Sequence, residues 1–424
     1  MRAVSVRQKH YDIALLGESL AARVAAALLA RRGYKVAFFR EALPAPSPWV
    51  FSSLHLQQLL MTLGGRSCAT SARPLQILTP QSRWELHGRH PKQEELFREF
   101  PTQHEQMTKL LTDMAGKGER LEQALWRSRR VALTGRLLHA NLRARGLFTL
   151  FKKPLESVIV QTLGETAATE SLTALFEGVS GQPIGRLSLA EGALLWSWVR
   201  QHEAVSASGL EELLRHRFEQ FHGDALELAD IASLTLAGRR VHSLTLKDGA
   251  VCSADHVVLG SLSGARLLPA PFELPTSGPP AVAFVTSPLN RLSPMLSRRI
   301  LLKTSATIRL TLSTSSPRTC RIETVPSQTS PEISPATLRE DLTPVFPFIE
   351  FTLGETPSPE GIPALDKSLF ARTLPGLVNP VQLKGNLLLA QGTGVWPALG
   401  PSGDILAGYA VAERLSSGKF SKPD

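Results

Sequence analysis

The amino-acid sequence predicts an α/β protein built around a parallel β-sheet. Short apolar runs at residues 13–16 and 36–39 flank an Ala- and Leu-rich stretch at 20–32, which is the pattern of a strand, a helix and a second strand. A third apolar run, at 256–260, is nearly continuous and indicates a strand that returns to the same sheet. With 43% hydrophobic and 20% charged residues in 424, the composition is that of a globular protein with room for two domains.

The N-terminal unit has the outline of a dinucleotide-binding βαβ motif. Gly17 allows a tight turn between strand and helix, and Gly33 ends the helix. Small side chains let the helix lie close to the sheet: Ala21, Ala22, Ala25 and Ala26. Because the N-terminus of such a helix carries partial positive charge and attracts pyrophosphate, residues 11–41 predict a nucleotide site.

Several positions depart from the usual fingerprint G-x-G-x-x-G. Ser19 stands at the second glycine, where the backbone approaches the phosphates, and Ala22 is a mild replacement of the third. The acid that binds the ribose hydroxyls aligns with Arg40, while Glu41 comes one residue late and would point to the opposite face unless the strand end frays. Arg40 could instead meet a 2′-phosphate in an NADP-type site, or be a solvated surface residue.

The region from about 80 to 200 is predicted to be mostly helical. Apolar residues recur at intervals of three and four in the stretches 103–114, 118–126, 133–145 and 188–202. The last stretch opens with a capping box formed by Ser188 and Glu191. A further helix is predicted at 209–221.

Strands are predicted in the second half of the chain. A strand at 225–230 leads into a β-meander at 231–236, 241–246 and 250–253, followed by the returning strand at 256–260. Strands at 281–285, 300–303, 307–313, 320–324 and 348–353 predict an antiparallel sheet with long loops, of which 326–337 is expected to be mobile. Residues 386–415 predict a strand, a Gly/Pro loop and an Ala-rich helix.

Three segments together resemble the phytoene desaturase-like branch of the FAD-dependent amine oxidase superfamily. They are the N-terminal unit, the helix, strand and meander of 208–261, and the closing segment NLLLAQGTGVWPALGPSGDILAGYAVAERL of 386–415. The resemblance implies an α/β fold in which a Rossmann-type FAD-binding domain is assembled from residues 1–75, 206–265 and 381–424. The intervening stretches would form a substrate domain, mostly helical at 76–205 and an antiparallel sheet at 266–380.

The resemblance also implies cofactor-binding residues in the closing segment. In the family, the Asp of a Gly-Asp pair before a proline turn binds the ribityl-phosphate end of the flavin, and the pair here is Gly392 and Thr393. Gly400 and Gly403 would offer backbone amides to the pyrophosphate or ring, or serve only the turn, and Trp396 would stack near the ring or anchor the loop. The family's G-G-R element has only a late counterpart, at 64–66.

Two functions follow from the resemblance. One is an FAD-dependent oxidoreductase acting on an apolar substrate, with catalytic residues unassigned because no Ser-His-Asp or paired-carboxylate pattern is present. The other is a flavin-free protein that keeps the fold to bind or assemble protein partners, as the Rab escort and GDP-dissociation-inhibitor proteins of the superfamily do. Ser19, Arg40 and Thr393 favour the second, and the glycines and segment order favour the first.

Charge and cysteine content argue against specific nucleic-acid binding, a disulfide framework and a metal site. The net charge of +10 is scattered over the chain, so specific nucleic-acid binding is not expected, although the basic apolar stretch at 143–154 could support peripheral membrane contact. The odd number of cysteines, Cys68, Cys252 and Cys320, predicts neither a disulfide framework nor a zinc site, and His87 and His90 lack metal-spaced partners. We expect a cytoplasmic protein without a bound metal.

Overall fold

The computed structural model describes most of the chain. It covers residues 9–41, 50–65, 69–71, 74–86, 93–128, 136–201, 203–238, 240–268, 283–286, 296–304, 306–312, 320–325, 335–344, 346, 353–356, 382–383, 385–391, 395–396 and 399–416. The strands are β1 His10–Leu16, β2 Val36–Arg40, β3 Ala69–Ser71, β4 Leu75–Thr79, β5 Ser82–Leu86, β6 Glu203–Val205, β7 Asp224–Glu227, β8 Ile231–Ala237, β9 Arg240–Leu246, β10 Val251–Leu259, β11 Ala283–Thr286, β12 Arg299–Lys303, β13 Thr307–Leu312, β14 Cys320–Val325, β15 Leu353–Thr356 and β16 Leu387–Leu389.

The helices fill the spaces around the sheets. They are α1 Leu20–Arg31, α2 Leu54–Leu63, α3 Gln93–Glu99, α4 His104–Ser128, α5 Arg136–Ala144, α6 Leu155–Leu163, α7 Ala167–Ser180, α8 Leu189–Val199, α9 Ala207–Gln220, α10 Leu262–Arg266, α11 Pro335–Leu342 and α12 Gly400–Ser416, with short 3-10 turns at Phe148–Lys152, Ile184–Arg186 and Leu228–Asp230. Among the described residues, no helix is long and apolar enough to cross a membrane.

The first sheet contains the predicted parallel strands. Its order is β7-β2-β1-β10-β9-β8, with β16 also paired to β10. Strands β7, β2, β1, β10 and β16 run parallel, and β8, β9 and the start of β10 form the antiparallel meander. The α/β fold class is therefore confirmed.

Strand β10 corrects one sequence prediction. Two strands were predicted, at 250–253 and 256–260, but a single strand runs through both, pairing with β9 at its start and with β1 and β16 farther along. Ala254 and Asp255 read as a break in the sequence, yet they remain extended because Ala254 pairs with Tyr11 of β1. A neighbouring strand overrides the local sequence signal here.

The second sheet has the order β15-β11-β14-β13-β12-β4-β5 and is antiparallel except where β12 meets β4. Strands β11 to β14 agree with the predicted antiparallel sheet, whereas residues 348–352 of the last predicted strand lie outside the described residues and β15 begins at Leu353. The hairpin of β4 and β5 was not predicted, and it joins this sheet from the segment expected to be helical. Residues 326–334 of the predicted loop lie outside the described part, and Pro335 begins helix α11.

Helix α4 is a second correction, because helices predicted at 103–114 and 118–126 form one continuous element. Residues 115–117, between the two predicted helices, belong to this helix, and Gly118, predicted to begin the second one, lies inside it. A Cβ atom there would lie 2.1 Å from the carbonyl oxygen of Ala193, so the glycine allows α4 and α8 to approach closely. The capping box at the start of α8 is confirmed, with Ser188 and Glu191 satisfying each other's backbone amides.

Helices α1 and α12 lie side by side and run parallel. A Cβ atom on Gly408 would lie 2.6 Å from the carbonyl oxygen of Ala21, near the start of α1. At the other end, Arg32 donates to the carbonyl oxygen of Ala412 at 2.9 Å and to the hydroxyl of Ser416 at 2.6 Å. Because Gly408 is eight residues into α12, this helix begins about two turns ahead of α1.

Candidate dinucleotide-binding site

The turn between β1 and α1 interlocks with the turn after β10. Gly17 has a φ of +83°, and a Cβ atom on it would lie 1.8 Å from Ser261 Oγ. A Cβ atom on Gly260 would lie 2.2 Å from the carbonyl oxygen of Gly17. The carboxyl ends of β1 and β10 can therefore meet only because glycine stands at both positions.

Ser19 lies at the N-terminus of helix α1. As the N-cap residue, it accepts a hydrogen bond on Oγ from the amide of Ala22 at 3.1 Å. The same hydroxyl donates to the carbonyl oxygen of Ala390, just beyond β16, at 2.8 Å. Ser19 thus satisfies an amide of the first helical turn and links the glycine turn to the closing segment.

Glu41 reaches the glycine turn. Strand β2 ends at Arg40, so Glu41 is free of the alternation that would turn it to the opposite face. Its Oε1 accepts a hydrogen bond from the amide of Glu18 at 3.2 Å. A carboxylate therefore lies beside the turn, although the residue that aligns with the ribose acid is Arg40.

A buried ion cluster lies next to this turn, and the sequence did not predict it. Glu18, only 8% exposed, pairs with Arg23 Nε at 2.7 Å, and Arg23 Nη1 pairs with Glu211 of α9 at 3.0 Å. Burial raises the pKa of Glu18, and the charges of Arg23 and Arg40 oppose that rise. The sequence signal that could have indicated this cluster was Glu18, a charged residue at the variable position directly after Gly17.

The closing segment places Trp396, Gly400 and Gly403 around the start of α12. Trp396 is buried, and a Cβ atom on Gly403 would lie 2.8 Å from its carbonyl oxygen, so the two pack together. Gly400 has a φ of +52°. Gly392, Thr393 and Pro397 lie outside the described residues.

The pair Gly64 and Gly65 is part of a helix end. Gly64 is the left-handed C-cap of α2, and Gly65 donates its amide to the carbonyl oxygen of Leu60 at 2.7 Å. These glycines end a helix that packs on α9, and Arg66, the third residue of the element, lies outside the described residues.

The sequence-predicted residues Gly17, Ser19, Ala22, Arg40 and Glu41 therefore lie together at the carboxyl edge of the first sheet. In the chemistry of the donor set, a carboxylate suits a ribose diol, and the N-terminus of α1 suits phosphate groups. These residues fit the adenosine diphosphate part of FAD, with two departures, the side chain of Ser19 and Arg40 at the aligned acid position.

Comparison with solved structures supports this architecture. A variant of putrescine oxidase superposes with a TM-score of 0.63 at 14% identity, covering 97% of this chain and 99% of that one. Cyclohexylamine oxidase from Brevibacterium oxydans gives 0.54 at 13% identity, covering 96% and 99%. The chain has the fold of the FAD-dependent amine oxidases.

The amine oxidase fold is not confined to oxidases. RAB GDI from Plasmodium falciparum superposes with a TM-score of 0.57 at 11% identity, covering 95% of this chain and 98% of that one. Neither a protein-family model nor a curated protein matches the sequence. The likeness thus establishes the fold, as the sequence predicted, and the site residues carry any argument about function.

Proposed function

We propose that the chain is an FAD-dependent oxidoreductase that acts on an apolar substrate. The observation that carries this proposal is the carboxylate of Glu41 at the glycine turn. A carboxylate has about four lone-pair sites, so Glu41 can keep the amide of Glu18 and still accept from the ribose hydroxyls. Glu41 would thereby replace the ribose-binding acid, whose aligned position holds Arg40.

The other contacts come from backbone. Helix α1 begins at the carboxyl edge of the first sheet, so its partial positive charge faces the glycine turn, whereas α12 begins about two turns ahead of it. Neither helix has an acidic residue in its first turn. A pyrophosphate at the glycine turn would gain from the dipole of α1. Bound FAD would supply the hydride acceptor.

Buried apolar residues lie at the junction between the sheets. A Cβ atom on Gly400, at the start of α12, would lie 3.5 Å from the carbonyl oxygen of Val179 at the end of α7. Gly178 packs against Leu301 of the second sheet, and Val179 and Leu301 are buried. This apolar packing adjoins the start of α12, and an apolar substrate is what the family resemblance implies.

The charged side chains near this junction pair within the protein. Glu177 accepts from Lys303 Nζ at 2.8 Å and from the amide of Ile184 at 3.1 Å. Arg309 donates to the carbonyl oxygens at the end of α7, including that of Val179 at 3.1 Å. Because these charges are already compensated, they favour an uncharged ligand over a charged one. We assign no catalytic residue.

The second candidate is a flavin-free protein that uses the fold to bind a protein partner. The Ser19 side chain favours it, because the hydroxyl lies at the N-terminus of α1, where a phosphate oxygen would accept. Arg40 at the aligned acid position favours it too.

Peripheral membrane contact stays a separate prediction, as does cytoplasmic location. In the stretch 143–154, Leu147 and Leu150 are buried. Arg143 Cζ lies 5.0 Å and Lys152 Nζ 5.4 Å from the centroid of the Phe148 ring. The two leucines therefore serve the core.

The absorbance spectrum of the purified protein tests the proposal, before and after incubation with excess FAD and desalting. Flavin bands in either sample, or saturable binding in an FAD titration, are the expected result. If neither spectrum shows flavin and FAD does not titrate, the oxidoreductase proposal is wrong and the partner-binding candidate stands.

Replacing Glu41 with Gln is expected to weaken FAD binding about tenfold or more, because a charged hydrogen bond contributes roughly 1.5–3 kcal/mol. The measurement is the dissociation constant from quenching of flavin fluorescence. Glu227→Gln is the matched control, since Glu227 pairs in register with Arg40 on the adjacent strand and is exposed. Equal affinities for the Glu41 variant and the wild type would remove Glu41 from the site.

A further inference from the structure

We propose that Ser19 is a latch across the dinucleotide site, which makes FAD an exchangeable ligand. This inference rests on the proposed function and concerns how tightly the site holds its cofactor. It predicts a protein that is stable without flavin and binds it reversibly.

The latch spans two segments of the chain. Ser19 belongs to the turn after β1, and Ala390 follows β16 at the far end of the sequence. Ala390 is held in place by its own amide, which donates to the carbonyl oxygen of Leu259 in β10 at 2.9 Å. The 2.8 Å bond from Ser19 Oγ to the Ala390 carbonyl oxygen thus joins the turn to a fixed point of the sheet.

The same hydroxyl competes with a phosphate. Its bond from the Ala22 amide, at 3.1 Å, uses a donor at the end of the helix where a phosphate oxygen would accept. The side chain must rotate, and both of its hydrogen bonds must break, before the pyrophosphate can take that position. A glycine at this position would impose neither requirement.

Further contacts within the protein satisfy the groups of the glycine turn when no flavin is bound. The amide of Glu18 donates to Glu41 at 3.2 Å, and the Glu18 side chain pairs with Arg23 at 2.7 Å. These backbone and side-chain groups therefore have partners inside the protein before any ligand arrives. Such a turn keeps its conformation without flavin, and a site that exchanges its ligand must stay folded when the ligand leaves.

The test compares Ser19→Gly with Ser53→Gly. Ser53 caps α2 in the same way, accepting from the amide of Leu56 at 3.1 Å, so its variant also loses a cap but leaves the nucleotide site intact. FAD affinity is measured by flavin fluorescence, and the release rate by dilution into excess competing AMP. We expect Ser19→Gly to bind FAD about tenfold more tightly and to release it more slowly, with Ser53→Gly close to the wild type.

Ser19→Ala provides a second variant if the glycine variant folds poorly, because it removes the hydroxyl and keeps the Cβ atom. It should also bind more tightly than the wild type. Wild-type protein that keeps stoichiometric FAD through dialysis, or Ser19 variants that bind no more tightly, would overturn the latch and leave the proposed function standing. If neither the wild type nor any variant binds FAD, both proposals fail together.

Discussion

Replacing Gly17 with alanine is expected to lower the free energy of unfolding by about 2–5 kcal/mol. The residue has a φ of +83°, and the left-handed conformation costs a residue with a Cβ atom roughly 1–2 kcal/mol. The new Cβ atom would also lie 1.8 Å from Ser261 Oγ and 2.7 Å from Ser261 Cβ, an overlap that costs about 1–3 kcal/mol to relieve. Urea denaturation measures the sum.

Gly33→Ala separates the two costs. Gly33 has a φ of +80°, and nothing lies within 4 Å of the position of its added Cβ atom. Its variant should therefore lose only the roughly 1–2 kcal/mol of the backbone term. If Gly17→Ala costs no more than Gly33→Ala, the turns after β1 and β10 are not interlocked as described.

Replacing Glu122 with alanine is expected to lower the free energy of unfolding by about 2–6 kcal/mol. Glu122 is buried in α4, and its Oε1 accepts from the amide of Leu54 at 2.6 Å and from Trp198 Nε1 at 2.7 Å. The alanine variant leaves both donors without this acceptor, at roughly 1–3 kcal/mol each. Glu122→Gln keeps an oxygen for both donors, so urea denaturation should show a much smaller loss for it.

The pH dependence of stability gives an independent check on Glu122. Burial raises its pKa above the ordinary value of 4.5, against the two hydrogen bonds that lower it. The folded state then binds the proton more tightly than the unfolded state. The resulting stability is fully present below the unfolded pKa and is lost as the pH rises through the folded pKa. Glu122→Gln should lack this slope, and an unchanged pH profile would contradict the assignment.

The sequence predicted the elements that local patterns determine. The N-terminal strand, helix and strand could be identified because apolar runs, alanines and a final glycine all lie within residues 13–39. The sequence could not show that β10 and α4 are each one continuous element, because each is held by a partner far along the chain. In β10, Ala254 pairs with Tyr11 of β1. In α4, Gly118 leaves room for the carbonyl group of Ala193 in α8.

The candidate site was predictable in residue type and less so in geometry. The motif identified Ser19 and Glu41 as exceptions, but the destination of a hydroxyl or carboxylate depends on groups far along the chain or beyond a strand end. Ser19 reaches Ala390, and Glu41 reaches the amide of Glu18. The pairing of Glu18 with Arg23 and Glu211 likewise depends on where α9 packs.

The contact between α1 and α12 has a consequence for the order of synthesis. The N-terminal helix is made early, yet the surface that covers it, including Gly408 and Ala412, leaves the ribosome several hundred residues later. Strand β16 is also made late, and it pairs with β10 of the first sheet. Because domains tend to fold as units, the nascent first sheet must wait with an uncovered flank while the second sheet is translated. Helix α1 therefore stays without the cover of α12 until that helix is translated, and its exposure to aggregation should be greatest before then.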